Sequence, residues 1–204
     1  MLLDTKKFIV IGDNTALDFI NTQIVDDGQP KDLLENFNDL LAWQVAAGLL
    51  DESAAETLSK KWGRLQEAQK LFKEAREFRK TLRETVESLS NKKLIKESAV
   101  NRINEILNQR FGHHELIKTK KGFEKRFRAE FDEPRQLLVP IAESAADLIA
   151  LTDWKNIRKC ENSECVLYFH DTTKNHRRRW CSMGACGNRA KAAAFYKRKK
   201  NRRP

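Results

Sequence analysis

Two short cysteine pairs decide the fold of the C-terminal part of the chain: Cys160-Glu-Asn-Ser-Glu-Cys165 and Cys181-Ser-Met-Gly-Ala-Cys186. They contain all four cysteines of the 204-residue chain, and fifteen residues separate them. Two close pairs at this separation are typical of a four-thiolate zinc site, because each pair supplies two ligands from one local turn. The sequence therefore predicts one structural Zn²⁺ ion per chain, held by Cys160, Cys165, Cys181 and Cys186.

Disulfide bonds and an iron–sulfur cluster are the alternatives to zinc. Disulfides are typical of exported proteins, whereas residues 8–11, the one uninterrupted apolar stretch near the N-terminus, are too short for a signal-peptide core. No apolar run approaches the roughly 18 residues that a membrane span needs, so we expect an intracellular protein. The cysteine spacings match neither common ferredoxin pattern. His170 and His176 are alternative ligands, but four cysteines already fill a tetrahedron.

The residues around the two pairs predict a small hairpin followed by a helix. Residues 166–169 are apolar and aromatic, which is typical of a strand, and the run after Gly187 is rich in helix-forming residues. Cys186, Ala190, Ala193 and Ala194 would share one helix face and pack beside the metal. The segment is therefore predicted to form a treble-clef-like zinc module, in which the hairpin bears one ligand pair and the helix bears the other.

Charge is concentrated in this same segment. Residues 155–204 contain fifteen basic and three acidic residues, a net charge of +12, whereas the preceding residues carry 24 basic and 26 acidic residues, a net charge of −2. Such an asymmetry is typical of a nucleic-acid-binding end or of one that binds an anionic membrane. A basic terminus that only aids solubility is the plainer alternative.

The rest of the chain is predicted to be mostly helical. A long helical pattern starts at Glu52, and its apolar stripe, which Arg79 interrupts, suits a core-facing helix better than a coiled-coil partner. A short strand is predicted at residues 8–11 and a loop at residues 26–30.

The spacing of apolar residues changes after residue 115. Phe123, Phe127 and Phe131 recur every four residues after Lys120-Lys121-Gly122, which predicts a small hairpin with one aromatic face. The predicted fold class is thus mainly α, within α+β: a helical N-terminal domain, residues 1–152, with a small β-hairpin, and the zinc module, residues 153–204.

Several motifs of this chain resemble a known bacterial family. Asp153-Trp154, Arg158-Lys159-Cys160, Asp171-Thr172-Thr173-Lys174-Asn175, the run from Arg178 to Met183, and Cys186-Gly187-Asn188-Arg189 look like the CGNR zinc finger, which is named for the last of them. In that family the finger usually follows an ABATE domain, and residues 16–22 and 39–43 are similar to motifs of that domain. The resemblance covers nearly the whole chain and implies a stress-induced transcriptional regulator whose finger binds zinc.

We therefore expect a zinc-dependent DNA-binding regulator. The loop between the cysteine pairs and the end of the chain would grip phosphates, and Asn188 and Arg189 suit adenine and guanine edges unless they only hydrogen-bond the zinc loops. The predicted nucleic-acid contacts are Lys174, Arg177, Arg178, Arg179, Asn188, Arg189, Lys191, Lys197, Arg198, Lys199 and Lys200. RNA binding is the main alternative, because Tyr168, Phe169, Trp180 and Tyr196 could stack on unpaired bases.

Other functions have weaker support in the sequence. His113-His114-Glu115 lacks the histidine spacing of a metalloprotease, and the sequence contains no Gly-rich phosphate loop. A closed four-cysteine zinc site leaves no coordination position for water. The sequence therefore predicts no enzyme and no catalytic residue. A zinc module that only contacts proteins is a further alternative. The N-terminal domain would form a homodimer or sense a small-molecule ligand. We expect the protein in the cytoplasm, at the nucleoid, and not at a membrane.

Overall fold

A short buried helix, α1 (Thr15–Ile20), lies among the packed elements of the computed structural model, which describes residues 3–200 except for the side chains of Lys197 and Lys200. Asn14 begins the helix, since its side-chain oxygen accepts a hydrogen bond from the amide of Leu17 at 3.2 Å. Every residue from Ala16 to Ile20 is buried.

Two strands follow where a loop was predicted. β1 (Gln23–Asp26) and β2 (Gln29–Asp32) pair antiparallel, with Val25 opposite Pro30. Asp27 and Gly28 connect them with φ of 47° and 75°, the left-handed conformation that tight hairpin turns require. The prediction of a loop at residues 26–30 was therefore wrong except at the turn itself. Residue 26 ends β1 and residues 29–30 begin β2, because the Asp-Gly turn closes a hairpin with short polar strands.

The predicted strand at residues 8–11 does not form. The segment is irregular, because the carboxylate of Asp18 accepts the backbone N–H groups of Ile11 and Gly12 at 2.8 Å and 2.7 Å. Those donors are thereby removed from any strand pairing.

Three helices come next: α2 (Phe37–Ala46), α3 (Glu52–Trp62) and α4 (Gln66–Ser90). The single long pattern predicted from Glu52 is thus two helices, broken at residues 63–65, where Leu65 is extended and half-exposed. The apolar stripe of α4 packs against α1 and α2, so the prediction of a core-facing helix is confirmed. Its buried apolar residues are Ala68, Leu71, Ala75, Phe78, Leu82, Val86 and Leu89.

Arg79 interrupts that stripe because it has a buried partner. Its side chain is 1% exposed and donates to both carboxylate oxygens of Asp32, at 2.8 Å and 2.5 Å, and to the hydroxyl of Thr22 at 2.6 Å. Burial raises the pKa of Asp32, but the hydrogen bonds from Arg79 and from the Leu34 amide, together with the positive charges of Arg79 and Arg76, hold this pKa below its usual value. The ion pair ties α4 to the first hairpin.

The remaining body elements are α5 (Glu97–Leu107), the antiparallel strands β3 (Gly112–Thr119) and β4 (Gly122–Ala129), and α6 (Val139–Leu151). The second hairpin was predicted, and its register places Phe123 and Phe127 on one face, as expected. Phe131 was expected on the same face, but it lies beyond the end of β4 and packs against the body core. Pro140 lies in the first turn of α6, where a missing N–H costs no helical hydrogen bond, so it begins this helix. Among the described residues, no helix has the length and apolar character needed to cross a membrane.

The C-terminal segment forms β5 (Ile157–Lys159), β6 (Tyr168–His170) and α7 (Asn188–Lys200), with a π-helical turn at Met183–Gly187. This is the predicted hairpin followed by a helix, so the α+β fold class with a zinc module is confirmed. Ile157 and Tyr168 belong to the same hydrophobic core as the body helices. The expectation that Ala193 and Ala194 pack beside the metal is wrong, because both are exposed where α7 leaves the module.

Candidate metal centre and nucleic-acid surface

The four cysteine sulfurs converge at one point of the C-terminal module. Cys160 follows β5, and Cys165 precedes β6. Cys181 precedes the π-helical turn, and Cys186 lies within it. The hairpin and the helical segment therefore each bring two thiols. All four Sγ atoms lie within 4.8 Å of one another; Cys165 and Cys181 are 3.8 Å apart, and Cys181 and Cys186 are 3.6 Å apart.

This donor set fits a tetrahedral zinc ion. Zn–S bonds of about 2.3 Å at tetrahedral angles place sulfur atoms roughly 3.8 Å apart, close to the separations observed. Three of the thiols are buried and the fourth, Cys165, is half-buried, so the site is closed and structural in character. Cys160, Cys165, Cys181 and Cys186 thus form one metal site of the kind that holds a structural Zn²⁺ ion, as the sequence predicted.

Hydrogen bonds from the surrounding loops support the thiolates. The amide of Cys181 donates to Cys160 Sγ, and the side chain of Asn162 donates to Cys186 Sγ, both at 3.4 Å. The amide of Cys160 also bonds the carbonyl of Leu167 at 2.9 Å, which closes the first ligand loop onto β6. Such contacts orient the ligands before the metal arrives.

A hydrogen bond between the sulfur atoms of Cys165 and Cys181 couples the ionisation of these two thiols. A hydrogen bond from the Cys181 thiol lowers the pKa of Cys165 to about 5, and the same shared proton raises the pKa of Cys181. Burial raises the pKa of Cys160. A bound cation must displace the remaining protons, so metal affinity falls in acid.

Gly187 lies close to two neighbouring side chains. A methyl group added at its Cα would lie 2.7 Å from the sulfur of Met183 and 3.2 Å from the ring of Trp180. The glycine therefore lets the Met183 side chain and the Trp180 ring pack closely against the ligand turn.

The metal centre also touches the N-terminal body. Ile9, Ile11 and Ile24 pack against the cluster formed by the buried thiols, Leu167 and Phe169. A cavity of about 230 Å³ lies between these isoleucines and the ligand loops, and Arg189 is among its lining residues. The finger is thus seated on the body and not carried on a free tether.

Asn21 of the body docks the finger directly and Asp18 holds the loop that meets it, and the sequence did not single out either residue for this role. The buried side-chain amide of Asn21 bonds both main-chain groups of Tyr168, donating to its carbonyl at 2.8 Å and accepting from its amide at 2.9 Å. His170 donates its amide to the carbonyl of Gly12 at 2.8 Å, beside the loop that Asp18 holds. Asp18 and Asn21 are polar residues inside the otherwise mostly apolar run of residues 16–22. That interruption was the sequence signal by which they could have been identified.

Arg178 is engaged within the protein. Its side chain is 21% exposed, and its guanidinium lies 4.3 Å from the centre of the Phe169 ring. It donates four hydrogen bonds, to the carboxylate of Asp13 and to the main-chain carbonyls of Ile11, Trp180 and Cys181. The residue predicted to contact nucleic acid therefore joins the ligand turn to the N-terminal segment.

The other predicted contact residues lie on the surface. Arg179 pairs with Glu161 at 2.7 Å and remains largely exposed. Asn188 donates to the carbonyl of Gly184 at 3.3 Å, which is a contact within its own helix start. The remaining exposed residues of the set are Lys174, Arg177, Arg189, Lys191, Arg198 and Lys199, whereas the side chains of Lys197 and Lys200 lie outside the described part.

The Asp18 carboxyl predicts a pH dependence of stability. Burial raises its pKa from 3.8 to about 6, although the amides of Gly12 and Ile11 oppose the shift. Because the folded state binds this proton more tightly than the unfolded state, Asp18 lowers the free energy of unfolding as pH rises from about 4 to about 6. The Asp18→Asn variant keeps an oxygen for both amides without the charge, so we expect it to be about 3 kcal/mol more stable at neutral pH.

Urea unfolding of both proteins between pH 4 and pH 7 tests this expectation. The stability difference between variant and wild type should be small at pH 4 and should reach its full size above pH 6. A difference that stays constant with pH would assign the effect to packing and not to ionisation.

Two family models match the chain. The ABATE model, whose description reads "Putative stress-induced transcription regulator", matches residues 13–151, which is more than half of the chain. The CGNR zinc finger model matches residues 156–199, including all four cysteines. The resemblance seen in the sequence is thereby confirmed. No curated protein matches the chain.

Proposed function

The chain belongs to the ABATE family and carries a CGNR zinc finger. On this basis we propose that it is a DNA-binding transcriptional regulator whose finger contacts the duplex. In this proposal the zinc ion fixes the finger fold and takes no part in a reaction. The protein would act in the cytoplasm, at the nucleoid.

The exposed helix α7 carries the proposal. Its thirteen residues contain six basic side chains and no acidic one, and all of its described side chains except the half-buried Ala190 are exposed. A helix of this length extends about 20 Å, and the major groove of B-DNA admits an α-helix. The zinc site anchors its first turn, so the side chains of Asn188 and Arg189 are held in a fixed register to the finger.

The loop between the ligand pairs supplies a second basic surface. Lys174, Arg177 and Arg179 are exposed there. The ion pair of Arg179 with Glu161 lies on the surface and is therefore weak, so a phosphate can replace the carboxylate. Arg178 is left out of this surface because its donors hold the finger to the body.

Neutralising this loop should weaken binding to all sequences alike. Changing Lys174, Arg177 and Arg179 to Gln removes charges that face the backbone, so the slope of log affinity against log salt should fall by roughly 0.9 for each lost phosphate contact on duplex DNA. Fluorescence anisotropy with a labelled duplex measures this slope. The matched control changes Lys70, Lys73 and Lys80, which are exposed on α4, to Gln. Equal slopes for the two variants would contradict the proposed surface.

Arg189→Ala should change discrimination between duplexes by roughly 1–3 kcal/mol for a lost bidentate base contact. Competition between a duplex selected from a random pool and a scrambled one measures it. The zinc content of each variant is the control, because a protein that has lost its metal reports on folding. If the zinc-loaded variant keeps its site preference, Arg189 has only a structural role.

RNA binding is the second candidate function. Phe195 and Tyr196 are both exposed on α7, with their ring centres 5.7 Å apart, and exposed aromatic rings suit stacking on unpaired bases. Retention of single-stranded RNA and duplex DNA at matched salt separates the two candidates. Stronger retention of the RNA would favour this alternative.

We also propose that the body senses a small polar ligand. A cavity of about 450 Å³ lies between α4 and α5, and its lining includes hydroxyl, acidic and basic side chains: Thr81, Ser88, Glu77, Glu84, Lys96 and Arg102. Lys96 is paired with Glu84, and Arg102 is paired with Glu74 and Glu105, so the charges of the lining are largely balanced and the site suits a hydroxylated molecule. Dimerisation through the body is the other role proposed for this domain.

A further inference from the structure

The hairpin of β3 and β4, residues 112–129 and here called the arm, is exposed or half-exposed along its whole length. Its two strands pair only with each other, and none of its residues belongs to either hydrophobic core. None of its side chains is fully buried. A two-stranded hairpin without a packed face is marginally stable, so the interior of the protein does not account for the side chains that the arm displays.

The strand register divides the arm into two chemically different faces. Residues paired across the strands share a face, and successive residues alternate between faces. Glu115 and Glu124, the two acidic residues of the arm, lie on one face with Arg126 and Arg128. Arg126 and Arg128 pair with these acids at 3.4 Å and 3.6 Å, so that face is close to neutral.

The opposite face carries lysines and exposed apolar side chains and no acid. Lys125 lies opposite Leu116, and Lys118 lies opposite Phe123. His114 and Phe127 share this face, with an edge-to-face ring contact at 5.4 Å. Lys120 and Lys121 add two further charges at the tip. Within residues 3–200, no carboxylate lies at ion-pair distance from any of these four lysines.

The apolar side chains of this face are unusually open to water. Leu116 is 70% exposed and Phe123 is 73% exposed, and each is flanked by a lysine stem. Contiguous exposed apolar side chains rimmed by charge are typical of an interaction surface. The four unpaired charges of one sign indicate which partner fits: a polyanion.

We propose that the arm is a second DNA-contacting element, which lays its lysine-bearing face against the phosphate backbone at the edge of the groove. The inference rests on the proposed function but names a different surface from the finger. The arm carries six basic and two acidic residues, a net charge of +4, inside a body whose total charge is −2. Its strands extend about 27 Å, and a two-stranded ribbon fits the major groove of B-DNA. The exposed Phe123 then contacts sugar or base edges near the tip.

The test compares two full-length variants with the same change in charge. The arm variant changes four lysines to Gln: Lys118, Lys120, Lys121 and Lys125. The control variant also changes four lysines to Gln, all exposed on or just after α4: Lys70, Lys73, Lys80 and Lys93. Anisotropy with duplex DNA over a range of salt gives the slope of log affinity against log salt. We expect the arm variant to lose about 0.9 of slope for each contact removed, and the control to match the wild type. Phe123→Ser should weaken binding without changing the slope.

The outcomes separate this inference from the proposed function. If the arm variant keeps the wild-type slope while the Lys174, Arg177 and Arg179 variant loses slope, the finger binds DNA and the arm inference is wrong. If the wild type shows no salt-dependent binding to duplex DNA, both fail. If Phe123→Ser converts a dimer to a monomer in sedimentation velocity and the arm lysines leave the slope unchanged, the face joins two copies of the chain, which also overturns the inference. Circular dichroism confirms that each variant is folded.

Discussion

Removal of zinc should unfold the finger and should also lower the melting temperature of the helical body. Binding of a structural zinc ion contributes roughly 10–16 kcal/mol in small finger modules, which is more than the finger gains from its short hairpin. Ile157 and Tyr168 leave the body core if β5 and β6 come apart, and the buried amide of Asn21 loses both partners. We expect chelation to leave much of the helical signal at low temperature but to shift the melting transition downward by many degrees.

Thermal melts followed by circular dichroism, with zinc measured by mass spectrometry, test this coupling. Cys181→Ser should reproduce the effect of the chelator, because it removes one of the four ligands. Ser182→Ala is the matched control in the same loop and should melt like the wild type. Restoration of the transition by added zinc would exclude irreversible damage. A body that melts at the same temperature with and without metal would show that the two parts are energetically independent.

Arg178→Ala should destabilise the protein by about 3 kcal/mol, whereas Arg177→Ala should change stability by less than about 0.5 kcal/mol. The first change leaves the carbonyls of Ile11 and Cys181 and the carboxylate of Asp13 without their donor. Arg177 is exposed, so its loss removes no internal contact. Urea unfolding of the zinc-loaded proteins measures both values.

Arg178→Lys is the sharper variant of this test. A lysine keeps the charge but cannot donate in the four directions that the guanidinium fork reaches, so most of the loss should remain. DNA affinity measured on the same samples distinguishes the two roles considered for this residue. Full stability combined with lost affinity would return Arg178 to the nucleic-acid surface, and the anchoring role would then be wrong.

Local patterns in the chain predicted a large part of the architecture. The arm was predicted because strand alternation and a Gly-containing turn lie within a few residues of each other. The core-facing stripe of α4 was predicted because helical periodicity is a local property. The boundaries were less accurate: the break between α3 and α4 depends on Leu65 taking an extended conformation, and apolar spacing alone does not show this.

Total charge did not reveal the lysine-bearing face of the arm. A net charge of −2 gave no reason to expect a basic surface there, yet the register of β3 and β4 separates lysines from glutamates onto opposite faces of the arm. Composition reports the sum of the charges, whereas a partner meets only the face that is turned toward it.

The sequence by itself determined the metal site. Its ligand set follows from the spacing of four cysteines within 27 residues, and zinc follows from the chemistry of sulfur donors. Only the tertiary structure decided the roles of the buried polar residues. Arg178 meets Asp13 across 165 positions of sequence, Asn21 meets Tyr168 across 147, and Arg79 meets Asp32 across 47. Spacing along the chain carries no information on such pairs, because their geometry exists only after the helices have packed. For this reason the finger was predicted correctly as a metal site, while its attachment to the body was found only in the fold.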